Sequence, residues 1–283
     1  MILLLISKLS GFDAKKSARE IKNFKVQGAN QIALYGLEFI KQYVAKNGFD
    51  SNFSQIINIL ENARPTAVVL HNCIELIRKN KTLTNIEELI SSLKTSHKKN
   101  IDLKLILKNK SVIMTYCHSG EAMSLIKELA KLKKIFVYAC ITEPLEQGLR
   151  TVKDLKKLKI PVTLIGDNAA GLFMKNSDLV IVGADALRKE GVVNKIGTSL
   201  LAFAAYQNKK PFYVVANSWK IDKRKFFKIE ERSPTEINKK LTHKIKDVEI
   251  RNPAFDITPW KFISYVVMEN DVFSPSQILR KWK

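Results

Sequence analysis

From Ser111 onward, short apolar runs rich in β-branched residues alternate with stretches whose apolar residues recur at helical spacing. Val112-Ile113-Met114-Thr115, Ile135-Phe136-Val137-Tyr138-Ala139, Pro161-Val162-Thr163-Leu164-Ile165, Asp178-Leu179-Val180-Ile181-Val182 and Pro211-Phe212-Tyr213-Val214-Val215-Ala216 read as strands. Between them, Glu121 to Leu132, Glu146 to Leu158, Ala169 to Lys175 and Ser199 to Gln207 read as helices. Such alternation builds βαβ units with right-handed crossovers. The expected fold is α/β, with a Rossmann-like, mostly parallel sheet flanked by helices.

The preceding part of the chain carries no clear strand signal. Ile32, Leu37, Phe39, Ile40 and Val44 recur near helical spacing, as do Ile56, Ile57 and Leu60. Arg64-Pro65 places a proline where a helix can begin, and Thr84 with Glu87 reads as a capping box. Residues 1–108 are expected to form a helical N-terminal subdomain, and 109–283 the α/β domain that carries the pocket. Within the latter, Lys220 to Arg251 is charged and aperiodic, an expected surface excursion or flap. Trp260 to Met268 returns to an amphipathic helical pattern.

Hydrophobic residues make up 46% of the 283 positions, enough to bury a sizeable core in one large or two small domains. The formal net charge of +21 suggests an acidic partner or an anionic substrate such as a phosphate ester. A lysine-rich composition gives the same charge with no nucleic-acid role, and no aromatic-interleaved basic patch or nucleic-acid motif is present, so direct nucleic-acid binding is not expected. Cys73, Cys117 and Cys140 lack zinc or redox spacing and fit a reducing cytosol. Met1 to Ile6 is apolar but too short for a membrane span and has no leading basic region, so a soluble cytoplasmic protein is expected.

Two places invite chemistry. One is Gly183-Ala184-Asp185-Ala186-Leu187-Arg188-Lys189-Glu190-Gly191-Val192-Val193-Asn194-Lys195-Ile196-Gly197-Thr198, read as a connection from strand to helix. It lies where open α/β sheets bind ligands, with Asp185 just past the strand and Asn194 and Lys195 ahead of the helix. On spacing alone it reads equally as a surface loop with a capping Asp. The other is Met114-Thr115-Tyr116-Cys117-His118-Ser119-Gly120, which sets a thiol between a strand and a helix N-terminus. A thiol at a helix N-terminus can have a lowered pKa, and His118, when protonated, can lower it further. On spacing alone a buried, inert cysteine is the commoner reading.

The Gly183–Thr198 string resembles the signature loop shared by translation initiation factor 2B α/β/δ subunits, methylthioribose-1-phosphate isomerase and archaeal ribose-1,5-bisphosphate isomerase. Arg64-Pro65-Thr66-Ala67-Val68, with Asn72 after it, is similar to a segment of the archaeal isomerases. So is Asp167-Asn168-Ala169-Ala170. Asn252-Pro253-Ala254-Phe255-Asp256-Ile257-Thr258-Pro259 resembles the C-terminal box of the whole family, and its end, Thr258-Pro259-Trp260-Lys261, is more similar to the initiation-factor-like archaeal paralogues than to the isomerases. The resemblance implies Cys117 and Asp185 as the catalytic pair of an aldose-to-ketose conversion. It further implies Gly28, Ala29, Arg64, Gln147, Gly148, Asn194 and Lys195 as substrate-binding residues, no metal or cofactor, a homo-oligomer, and a place in AMP metabolism.

Two departures matter. Gln27-Gly28-Ala29 stands where the isomerases carry Arg-Gly-Ala, and Thr142-Glu143-Pro144 where they carry Thr-Arg-Pro. Two arginines expected to hold phosphate are missing, and each charge-assisted bond is worth roughly 1.5–3 kcal/mol. Arg64, Arg150 and Lys195 are candidates to compensate. Two readings stand: a ribose 1,5-bisphosphate isomerase, favoured by the Cys/Asp pair, or a non-catalytic subunit that senses a phosphorylated sugar or nucleotide and meets translation initiation factor 2.

Overall fold

In the computed structural model, residues 13–23, 25–96, 106, 112–237 and 247–282 are described. The apolar start and part of the charged stretch, 238–246, lie outside them. The chain divides into two compact units, Met1–His97 with Trp219–Lys228, and Lys98–Ser218 with Ile229–Lys283.

The first unit is helical: α1 (Ala14–Lys22), α2 (Ala29–Asn47), α3 (Phe53–Asn62), α4 (Val68–Lys79) and α5 (Leu83–Thr95). Their apolar stripes close over Tyr35, Phe39, Phe53, Leu60 and Ile74, all buried. Arg64-Pro65 lies in the turn ahead of α4. In place of the expected capping box at Thr84 and Glu87, a simple N-cap forms two residues earlier. Thr82, in extended geometry, accepts from the Asn85 amide at 3.1 Å, and Thr84 already sits inside the helix. Trp219–Lys228 joins this unit because Asn72 donates to the carbonyls of Trp219 (2.8 Å) and Ile221 (2.9 Å). Lys220 and Asp222 are buried there, so this end of the charged stretch is structural and no surface excursion.

The second unit holds the expected sheet. Its elements are β1 (Val112–Tyr116), α6 (Gly120–Leu132), β2 (Phe136–Cys140), α7 (Gly148–Lys157), β3 (Val162–Ile165), α8 (Ala170–Met174) and β4 (Leu179–Gly183). Then come β5 (Ala186–Arg188), β6 (Gly191–Lys195), α9 (Thr198–Gln207), β7 (Phe212–Val215), β8 (Phe255–Thr258), β9 (Tyr265–Val267), β10 (Val272–Phe273) and α10 (Pro275–Leu279). Seven strands form one sheet in the order β10-β9-β7-β4-β1-β2-β3, parallel except for β10. Helices cover its faces, so β4 is buried at every residue and its sequence is a continuous apolar run.

Two expectations are corrected. The string after β4 is no loop: β5 and β6 form a hairpin that pairs with β8 in a second, antiparallel sheet. Gly191, at φ +155, makes its close approach possible, since a Cβ there would lie 2.2 Å from the Thr258 carbonyl oxygen. Trp260 to Met268 is a short 3-10 turn followed by β9, and the Trp260 indole donates to the Arg188 and Lys189 carbonyls in the hairpin turn. The 3.6-residue pattern there came from residues buried by a turn and by a short strand paired on both sides, with β7 and β10.

Candidate active site

The chain leaves β1 toward β2 and β3 on one side of the sheet, and from β4 it builds the other side. The switch point therefore lies between β1 and β4, and the crevice at their carboxyl ends is where such sheets take ligands. Tyr116 pairs with Val182 in that register. Cys117 is the first residue past β1, and Ala184-Asp185 follow β4. The two residues are thus set at the same crevice by strand order. Asp185 is half-buried, and its N–H donates to the Val193 carbonyl at 2.8 Å, which ties the β4 exit to the hairpin.

All three polar groups of Cys117 are held. Its N–H donates to Thr142 Oγ1 at 2.8 Å, and its carbonyl accepts from the Thr151 hydroxyl at 2.8 Å. Its thiol lies 3.5 Å from Gln147 Oε1. Gly148 opens α7 pressed against the end of β2, where a Cβ would fall 1.8 Å from the Cys140 carbonyl oxygen. α7 starts two residues later than the periodicity indicated.

Of the two readings of Cys117, its surroundings favour the buried thiol over the activated one. Burial pushes the thiol up to about 12, with the nearby Asp185 adding to the rise; the His118 amide and the Lys195 charge oppose it without prevailing. His118 is itself pushed down by burial and by Arg150, with Asp154 opposing, so it brings no positive charge. The resting site holds a thiol with its proton in place.

Asn194 and Lys195 end β6 and are both buried. Asn194 donates to Thr198 Oγ1 at 3.0 Å, which spends the amide on the start of α9. Burial lowers the Lys195 ammonium, and the Cys117 side raises it. Close to Lys195 stands an ion pair not foreseen from sequence: Arg232 grips Glu236 with two bonds of 2.7 and 2.6 Å, and Asn252 holds Glu236 at 3.3 Å. Asp256, from the same C-terminal box, accepts from the Gly197 and Ser199 amides at 2.8 and 3.0 Å and so anchors α9.

Gln27, Gly28, Ala29 and Arg64 belong to the other unit. Gly28, at φ +91, precedes α2, where Ala29 is the first residue, and Arg64 is half-buried in the turn before α4. Glu143 is exposed at the β2 exit, its amide donating to Asp167. Among the described residues no cluster of three His, Cys, Asp or Glu side chains is placed to hold a metal, and no helix is long and apolar enough to cross a membrane.

The chain is 35% identical over 294 residues to the ribose 1,5-bisphosphate isomerase of Methanocaldococcus jannaschii, covering 96% of this chain and 95% of that protein. It is 35% identical over 298 residues to the methylthioribose-1-phosphate isomerase of Acetivibrio thermocellus, covering 91% and 87%. The crystal structure of the Pyrococcus horikoshii translation initiation factor eIF-2B superposes with a TM-score of 0.78 over 94% of this chain and 98% of that one, at 24% identity, which shows the shared fold. The model of the initiation factor 2 subunit family matches residues 25–275, and the chain belongs to that family.

Proposed function

We propose that this chain is a sugar-phosphate aldose–ketose isomerase that converts ribose 1,5-bisphosphate to ribulose 1,5-bisphosphate. The observation that carries the reading is the placement of Cys117 and Asp185 at the carboxyl ends of adjacent strands, at the switch point of the sheet. A C1-phosphorylated aldose needs an acid and a base that reach its ring oxygen and the C1–C2 region. Opening the ring breaks the bond from C1 to the ring oxygen, which takes up a proton; the C2 hydrogen moves to C1 with its electron pair, and the C2 hydroxyl gives up its proton to the base, which leaves the C2 carbonyl. A protonated thiol and a carboxyl group in a desolvated pocket can divide those transfers. Lys195, buried beside Cys117, supplies positive charge for substrate oxygens. We take the working form to be a homo-oligomer.

Incubation of the purified protein with ribose 1,5-bisphosphate, with and without AMP, and NMR detection of products tests this. Ribulose 1,5-bisphosphate that forms with wild type and not with Asp185→Asn supports the isomerase. A second reading has Gln27 and Glu143 in its favour, since they leave two cations short at positions where the resemblance calls for arginine. It is a non-catalytic regulatory subunit that binds a phosphorylated sugar or nucleotide and meets translation initiation factor 2. Ligand-induced thermal stabilisation without turnover, together with capture of that factor, favours it.

A further inference from the structure

Cys117 and Thr142 share an unusual feature: both are non-glycine residues in the left-handed region, at φ 63 and φ 65. Thr142 is β-branched and fully buried, so its conformation is disfavoured and persists only where the surroundings over-determine it. The surroundings are specific. The two oxygens of Asp167 accept from the amides of Thr142 and Glu143, each at 2.8 Å. Thus seated, Thr142 donates its hydroxyl proton to the Cys140 carbonyl at 3.1 Å, which turns an oxygen lone pair toward the Cys117 amide 2.8 Å away. From the other side Thr151, also buried, donates to the Cys117 carbonyl. Its oxygen also lies 3.1 Å from His118 Nδ1. Strands fix only where Cys117 begins; two threonines, from the β2 exit and from α7, fix which way its side chain leaves the backbone.

We propose that Thr142, seated on Asp167, and Thr151 are positioning residues that clamp the Cys117 peptide from both ends and so aim its thiol into the crevice. The proposal rests on the reading of Cys117 as the reacting thiol. Neither threonine touches the reacting atoms; both act through the backbone of Cys117. Small misplacements of a reacting group cost rate steeply, on the order of a hundredfold for about 1 Å.

The test uses Thr142→Val, which keeps the shape and removes the hydroxyl, and Thr142→Ser, which restores it. Two readouts are taken on the intact protein: kcat and KM for ribose 1,5-bisphosphate, and the rate at which iodoacetamide labels Cys117, followed by peptide mass spectrometry. Thr142→Val is expected to lower kcat at least about tenfold with KM little changed, and to change the labelling rate by a similar factor. Thr142→Ser should restore both. A Thr142→Val protein with kcat and labelling within twofold of wild type overturns the clamp. If wild type shows no turnover, the isomerase reading falls and the labelling rates alone decide the clamp. Should Thr142→Val fail to fold, Thr151→Val decides by the same two readouts at the other end of the peptide.

Discussion

At Cys117 two effects oppose each other, and their balance is set by burial. The His118 amide and the Lys195 charge favour the thiolate; removal from water, with Asp185 nearby, favours the thiol and prevails. A rise from 9 to about 12 leaves roughly a thousandfold fewer thiolates at neutral pH than an ordinary cysteine has. The residue was legible in the sequence and its protonation state was not, because desolvation depends on what the rest of the chain packs around it. Cys117→Ser is expected to lower turnover by about 10²–10⁴, the usual worth of a positioned proton carrier, with thermal stability and ligand affinity near wild type. Retained turnover would remove Cys117 from the chemistry.

Asp256 gives the pH prediction at this scale. Burial raises its carboxyl from 3.8 to about 6 against two backbone amides that lower it. The folded protein therefore holds this proton more tightly than the unfolded chain, and the stability it contributes is present at low pH and lost as pH rises through 6. Between pH 5 and 7 the loss amounts to about 1 kcal/mol. Urea unfolding at the two pH values should show that decrement in wild type and a smaller one in Asp256→Asn. Equal decrements in both would place the titration elsewhere.

Among the elements, those whose burial leaves a period in the sequence were legible. The five longest parallel runs, with the helices between them, stand within two residues of where alternation sets them. The hairpin was not, because β5 and β6 span three and five residues and are buried at every one, so no alternation survives to mark them. What the sequence does carry is the glycine that their pairing with β8 requires. Gly191→Ala and Gly148→Ala would each drive a methyl into a backbone carbonyl that cannot step aside, at 2.2 and 1.8 Å. Each is expected to destabilise by about 3 kcal/mol or more, at the upper end of what overpacking costs. Chemical denaturation measures it. A loss under about 1 kcal/mol in Gly148→Ala would mean that α7 can slide away from β2, and Gln147 would then no longer be fixed beside the Cys117 thiol.

For the whole molecule, the outer face of α9 is the feature that neither the core nor the site explains. Leu200, Phe203 and Tyr206 are 71%, 44% and 56% exposed, spaced three residues apart on one side of the helix. The rings of Phe203 and Tyr206 stand edge-on to Phe262 at 5.6 and 5.4 Å, which makes a continuous aromatic surface of side chains that a solvated helix would replace with charge. For the proposed homo-oligomer, we expect this face to be the one a second copy covers. Burying a leucine or an aromatic ring is worth about 1.5–3 kcal/mol, so Leu200→Glu with Tyr206→Glu should weaken assembly by at least about tenfold, and exposed positions leave the fold intact. Sedimentation velocity measures the shift toward monomer. The formal charge of +21 makes copies repel, so wild-type assembly should tighten as salt rises, opposite to an interface held by ion pairs. A wild-type protein that sediments as a monomer at every salt concentration would sink the homo-oligomer and leave the α9 face to a different partner.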